Sequence, residues 1–201
     1  MIKDALKFII DQLNAFIQPI DPGNADDMVV LGNIALVDAF NDDQATPLQN
    51  RIVASVVNVE QDTVLRNLPR TTVRLENGNA QARTQESPVM INLYVMFSAN
   101  NTNYENALYY LSAIVAFFQQ TQTFRPSPPI SNPPFQSVPS FEKMIFDLYT
   151  MSFEEQNHLW GTLGGKYIPS VLYKVRLVAI QTAPVTDSST VRRIRTDETG
   201  L

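Results

Sequence analysis

Hydrophobic positions at the start of the chain recur at helical spacing. Ile2, Ala5, Leu6, Ile9, Ile10, Leu13, Phe16 and Ile17 fall on one stripe, while Lys3, Lys7, Asp11, Gln12 and Asn14 take the other face. The spacing predicts a helix over residues 2–17, ended by Pro19, Pro22 and Gly23. A helix with so broad an apolar stripe has to pack on a sheet or a neighbouring helix.

The pattern then changes period. MVVLGNIALV (28–37) and RIVASVVNVE (51–60) are rich in Val and Ile between polar, turn-prone clusters, and both read as strands. The second is apolar on both alternations, which predicts a central strand covered on two faces. Residues 61–87 lose the pattern. Arg66, Arg70 and Arg74 recur every four residues, but Pro69 and Thr71–Thr72–Val73 oppose a helix, and Asn77–Gly78 signals a turn. A loop or an excursed hairpin is expected there.

PVMINLYVMFSA (88–99) alternates as a strand, with Val89, Ile91, Leu93, Val95 and Phe97 opposed to Met90, Asn92, Tyr94 and Met96. Thr102 and Glu105 have capping-box spacing and predict a helix carrying Tyr104, Ala107, Leu108, Leu111, Ile114, Val115 and Phe118 on one stripe. Residues 124–139 hold six of the thirteen prolines and read as an extended, ladder-free loop. FEKMIFDLYTM (141–151) is a strand. Ser152 and Glu155 repeat the capping box at the head of a short helix through Trp160, which Gly161, Gly164 and Gly165 terminate. IPSVLYKVRLVAI (168–180) is the last strand, and residues 181–201 carry no stripe. This order predicts an α+β fold: a mixed, mostly antiparallel sheet flanked by helices. Residues 1–180 form the folded domain and 181–201 a C-terminal arm.

Composition narrows the chemistry. The chain of 201 residues has no cysteine and one histidine. Disulfides, thiolate nucleophiles and Cys-built metal sites are therefore excluded, as is any site needing two histidines from one chain. The net charge of −5 speaks against nucleic acid as the main partner. Its distribution is uneven: residues 1–65 hold ten acids and three bases, residues 66–201 ten acids and twelve bases. Such halves are complementary in a head-to-tail oligomer, although scattered charge also serves solubility. The most apolar run, 107–118, is too short for the roughly 20 residues that span a bilayer. With no leader pattern at the N-terminus, the expected site of synthesis and folding is the cytoplasm.

His158 is the one side chain suited to base catalysis near neutral pH, and Ser152 or Ser170 is the nucleophile a small hydrolase would use. No nucleophile-elbow motif accompanies them, so a structural or surface histidine is the favoured reading. Glu154–Glu155 and Asp42–Asp43 are adjacent and diverge, unlike a converging carboxylate pair. No catalytic, cofactor or metal site is expected. The tail bases Arg192, Arg193 and Arg195 suit an arm that pairs with an acidic neighbour.

Two long stretches carry a family resemblance: NLYVMFSANNTNYENALYYLSAIVAFFQ (92–119) and SFEEQNHLWGTLGGKYIPSVLYKVRL (152–177). With the opening helix and the LGNIAL segment, they resemble the cap, or tail-terminator, family of extracellular contractile injection systems, phage-tail-like particles of the antifeeding-prophage and virulence-cassette type. The resemblance covers residues 1 to about 180. It implies a tail-terminator-like fold and a non-enzymatic homo-oligomer, a hexameric ring that closes the distal end of the inner tube and contractile sheath. Its partners would be the tube and sheath proteins, with neither membrane nor nucleic acid. Assembly would occur in the bacterial cytoplasm and release by lysis. A baseplate-side position or an assembly-chaperone role in the same particle is the alternative, and a hydrolase built on His158 the remote one. Lys166, Lys174 and Arg176, assigned to the final strand, are the candidates for charged contacts across the ring.

Overall fold

A computed structural model of the chain describes residues 2–20, 27–36, 48–62, 71–76, 79–84, 90–126, 141–179 and 186–187. The elements run α1 (Ile2–Ile17), β1 (Val29–Leu31), a 3-10 turn (Ile34–Leu36), β2 (Arg51–Gln61), β3 (Thr71–Glu76), β4 (Asn79–Thr84) and β5 (Met90–Asn100). They continue with α2 (Tyr104–Gln120), β6 (Thr123–Phe124), β7 (Phe141–Tyr149), α3 (Phe153–Thr162), β8 (Ser170–Ala179) and β9 (Thr186–Asp187). Six strands form one sheet in the order β1-β2-β5-β8-β7-β6; β3, β4 and β9 form a second. Only β1 and β2 pair in parallel, so the main sheet is mixed and mostly antiparallel, as the pattern predicted.

The central strands are β5 and β8. Leu93, Val95, Phe97 and Ala99 of β5, with Tyr173, Val175 and Leu177 of β8, are buried on one face against α1 and α2. On that face α1 seats Ala5, Leu6, Ile9, Ile10, Leu13 and Ile17, six of the eight residues of the predicted stripe, with Ile2 and Phe16 partly buried. An aromatic cluster fills the space beneath α2: Phe118 stacks on Phe146 at 4.4 Å and 19° and lies 4.5 Å from Tyr173, which meets Phe97 edge-on at 6.0 Å. Truncating one such fully buried ring typically costs about 3–5 kcal/mol.

A smaller cluster covers part of the opposite face. Val53, Met96 and Leu172 are buried there beneath Trp160 of α3, Ile34 of the 3-10 turn and Leu48. Ser152 caps α3 with its hydroxyl on the Glu155 amide, while Glu155 returns a carboxylate to the Ser152 amide at 2.8 Å. The helix runs past the expected stop, taking Gly161 into its last turn. Gly164 and Gly165 end it at positive φ, with the Gly165 amide donating to the Trp160 carbonyl at 2.7 Å.

Four further expectations need correction. The strand expected over 28–37 stops at Leu31, because the Ser55 hydroxyl takes over the backbone: it donates to the Gly32 carbonyl at 2.7 Å and accepts from the Ile34 amide at 3.1 Å. β2 is covered on both faces only over Ile52–Ser55; beyond the end of β1, Val56 and Val59 are exposed. The N-cap of α2 is Asn103 and not Thr102, whose amide and hydroxyl instead donate to Asn50 Oδ1 at 3.0 and 2.9 Å. The buried stripe of α2 is rotated accordingly: Tyr110 and Phe117 point inward, whereas Tyr104 and Leu108 are exposed.

The hairpin reading of 61–87 holds: β3 and β4 pair antiparallel on either side of residues 77–78. Pro-rich residues beyond 126 lie outside the described residues. At the outer edge of the main sheet, Asn14 of α1 donates to the Val29 carbonyl at 2.9 Å and accepts from the Val29 amide at 2.8 Å. One side chain thus binds both outward backbone groups of that residue.

Burial pushes the Tyr173 phenol up to about 12 from an ordinary value of 10. The folded state therefore holds the proton more tightly than the unfolded state. Its contribution to stability is complete below pH 10 and is lost as pH rises towards about 12. Denaturant titrations across that window are expected to show a decline in stability that Tyr173→Phe makes shallower; an unchanged slope would contradict this burial of the hydroxyl.

Candidate functional site

The second face of the sheet is covered over only half its length. Register places Asn58 and Glu60 of β2 beside Tyr94 and Asn92 of β5, and these beside Lys174 and Arg176 of β8, with Asp147 of β7 opposite Lys174. All are on the face that α3 covers further along. The result is a polar strip of sheet surface at the end away from α3.

Its side chains are held to one another. Tyr94 donates its hydroxyl to Glu60 Oε2 at 3.1 Å, and Asn58 donates to Glu60 Oε1 at 3.2 Å. The Lys174 ammonium sits 5.7 Å from the centre of the Tyr94 ring, which meets Tyr149 edge-on at 5.3 Å. Partial burial first, and the Glu60 hydrogen bond second, raise the Tyr94 pKa above 10.0. Arg176 donates from Nε and Nη2 to Asp147 Oδ2 at 3.2 and 2.9 Å, with both side chains nearly half exposed. Beneath them Asn92 is buried, and its Oδ1 has no hydrogen-bond partner.

The sequence-predicted cations therefore separate. Lys174 and Arg176 share this strip, each with a partner in its own chain. Lys166 does not lie on the final strand: it is an exposed residue of the connection between α3 and β8. The Schellman turn at Gly164–Gly165 and Pro169 delay the strand to Ser170. Arg192, Arg193 and Arg195 lie outside the described residues.

The hydrolase candidates do not converge on a mechanism. The Ser152 hydroxyl serves the helix cap, the Ser170 hydroxyl is buried with no hydrogen-bond partner among the described residues, and His158 is exposed on α3. Among the described residues no group of three His, Asp or Glu side chains is arranged to hold a metal ion. Among them, too, no helix is long and apolar enough to cross a membrane.

Sequence reasoning missed the exposed apolar side chains. Tyr104, Leu108 and Tyr109 lie on the outer side of α2, at 62%, 44% and 53% exposure, and Phe153 at the head of α3 is 91% exposed. Leu31 and Leu36 are exposed beside the β1 edge, and Tyr167 stands out over Trp160 at 5.7 Å. A helical stripe cannot signal this, because Tyr and Leu at i and i+4 look the same whether they meet a core or another subunit.

The Pvc16 N-terminal domain family matches residues 4–193. The chain belongs to that family. No curated protein sequence matches it. The fold is similar to the sheath/tube terminator of the PVC extracellular contractile injection system in its extended state, with a TM-score of 0.61 at 14% identity. That alignment covers 100% of this chain and 64% of the terminator, so the chain spans less than two thirds of that protein. The anti-feeding prophage cap, a tube-terminating cap, aligns over 82% of this chain and 57% of its own length, at 11% identity and a TM-score of 0.49. The α+β, tail-terminator-like fold expected from the sequence is the fold observed.

An exposed ion pair is worth little, because water screens it and ordering two long side chains costs entropy. A double-mutant cycle on Arg176→Ala and Asp147→Ala is therefore expected to give a coupling of about 0.2–1 kcal/mol in the free protein. A coupling several times larger would mean that the strip is desolvated in the isolated chain.

Proposed function

We propose that this protein is a structural cap that closes the distal end of the inner tube and contractile sheath of a phage-tail-like injection particle. It stops tube growth and anchors the last sheath layer. The observation that carries the reading is the family match over residues 4–193, joined to a terminator-like fold across the whole chain. The protein acts by binding and not by catalysis; its candidate nucleophiles and its histidine are each committed elsewhere or set apart.

In this reading the working unit is a closed ring of six copies, assembled in the bacterial cytoplasm and released with the particle by lysis. A ring requires two different surfaces that meet between neighbours, and the acidic 1–65 segment against the more basic remainder supports such a pairing. Lys166, Lys174 and Arg176 serve contacts between subunits or with the sheath. Because Arg176 is held to Asp147 by a weak surface contact, a partner carboxylate can exchange with Asp147 at small cost. Residues 181–201, including Arg192, Arg193 and Arg195, form an arm that reaches a neighbour; its β9 segment pairs with β4 of its own chain.

Imaging of particles carrying a tagged copy of the chain is expected to place the tag at the end opposite the baseplate. Particles lacking the chain should show tubes of uncontrolled length. A tag at the baseplate, or tubes of normal length without the chain, would overturn the cap reading. A chain truncated after Ile180 is expected to fold, yet to co-purify with sheath–tube particles several-fold less well than the full chain. Equal recovery would remove the arm from the proposal.

A further inference from the structure

α2 turns an uncharged face to solvent. Exposed positions on α1 carry Lys3, Lys7 and Asp11, and those on α3 carry Glu154, Glu155 and His158. α2 is also exposed along its outer side, yet from Asn106 to Gln120 it holds no charged residue. A helix that is apolar on every side is ordinarily covered on every side. The buried residues of α2, Ala107, Tyr110, Leu111, Ile114, Phe117 and Phe118, fix which side faces out. Leu108, Tyr109, Ser112 and Ala116 follow one another along the opposite side, with Tyr104 at its rim.

This face has a bulky half and a small half. Leu108 and Tyr109 stand out into solvent, whereas one turn further on come only Ser112, Ala113 and Ala116. The Ser112 hydroxyl is turned back on its own helix and donates to the Leu108 carbonyl at 2.8 Å, so it needs no outside partner. A second α2 laid antiparallel across the first, with Ser112 on the two-fold axis, sets Leu108 opposite Ala116 and Tyr109 opposite Val115. Large residues then meet smaller ones on both sides of the axis. Glu105, the one charge of the helix, falls opposite Gln119 of the second copy, whose amide can donate to it. A parallel pair would instead bring the two Glu105 carboxylates together and align the helix dipoles unfavourably.

We infer that the free protein associates with itself through this face, as a two-fold pair of antiparallel α2 helices. The occupant is a second copy because the face is complementary to itself in shape and in charge: bulky side chains find small ones, and the lone carboxylate finds an amide. Area sets the strength. Tyr104, Leu108 and Tyr109 leave roughly 300 Å² in water, taking about 200 Å² for each whole side chain. Two copies cover roughly 600 Å² through them, about half of what a stable dimer buries. The contact is therefore weak and reversible. It joins like surfaces, whereas ring closure joins unlike ones, so it is additional to the ring and independent of the cap reading.

The chain has no cysteine, so single introduced cysteines report the contact. Under mild oxidation, full-length Ser112→Cys is expected to form a disulfide homodimer several-fold faster than Glu105→Cys or the α3 variant Glu154→Cys at equal concentration. Adding Tyr109→Glu to Ser112→Cys should slow the link several-fold. Each of these positions is exposed, and circular dichroism is expected to show every variant folded. Linkage at Ser112→Cys no faster than at Glu154→Cys would overturn the inference, as would a rate unmoved by Tyr109→Glu. Faster linkage of Glu105→Cys than of Ser112→Cys would overturn the antiparallel arrangement. The position of the tagged chain on particles tests the cap reading separately from all of these.

Discussion

Burial of β5 and β8 on both faces is the constraint from which the rest of the architecture follows. At one end of these strands Phe97 and Tyr173 face one way while Met96 and Leu172 face the other, and all four are buried. A sheet with two apolar faces needs two covers. The chain supplies α1 and α2 on one side and α3 with the 3-10 turn on the other. The two covers differ in size, so coverage on the second face stops short. Where it stops, the residues of the same strands change from Met96 and Leu172 to Asn92, Tyr94, Lys174 and Arg176. The polar strip and the cluster beneath α3 are thus opposite ends of one face of the same two strands.

This division suits a part that works by contact. The core is rich in stacked aromatics that fix the sheet's shape. Among the described residues the surfaces left over are of two kinds: a strip of partnered charges on the sheet, and exposed aromatics on α2 and α3.

Much of this was legible from periodicity, because strong local patterns agreed with the final packing. Six of the eight α1 stripe residues are buried, with Ile2 and Phe16 partly buried beside them, and Ser152 with Glu155 makes the expected reciprocal cap. The failures were tertiary. Thr102 has the spacing of a cap, but Asn50, 52 residues earlier, captures it and passes the role to Asn103. The LGNIAL segment looks like a strand, but the Ser55 hydroxyl bends it away. Gly32 lets the chain pass there, with room for a Cβ denied by Leu48 Cδ2 at 2.8 Å. The apolar alternation of β2 was right locally, but how far β1 extends beside it was not written in β2 itself. Of the candidate site, the shared face of Lys174 and Arg176 could be read from their spacing; their partners Tyr94 and Asp147 lie on two other strands and could not.

Asn14 carries a consequence for how molecules of this protein stay apart at high concentration. Sheet edges are adhesive, and identical molecules at high concentration tend to join there without limit. By satisfying both outward groups of Val29, one amide side chain shortens the exposed ladder to little more than a single residue. The free protein can then accumulate without its sheets fusing side by side, and growth is reserved for contacts that have a geometry and therefore an end.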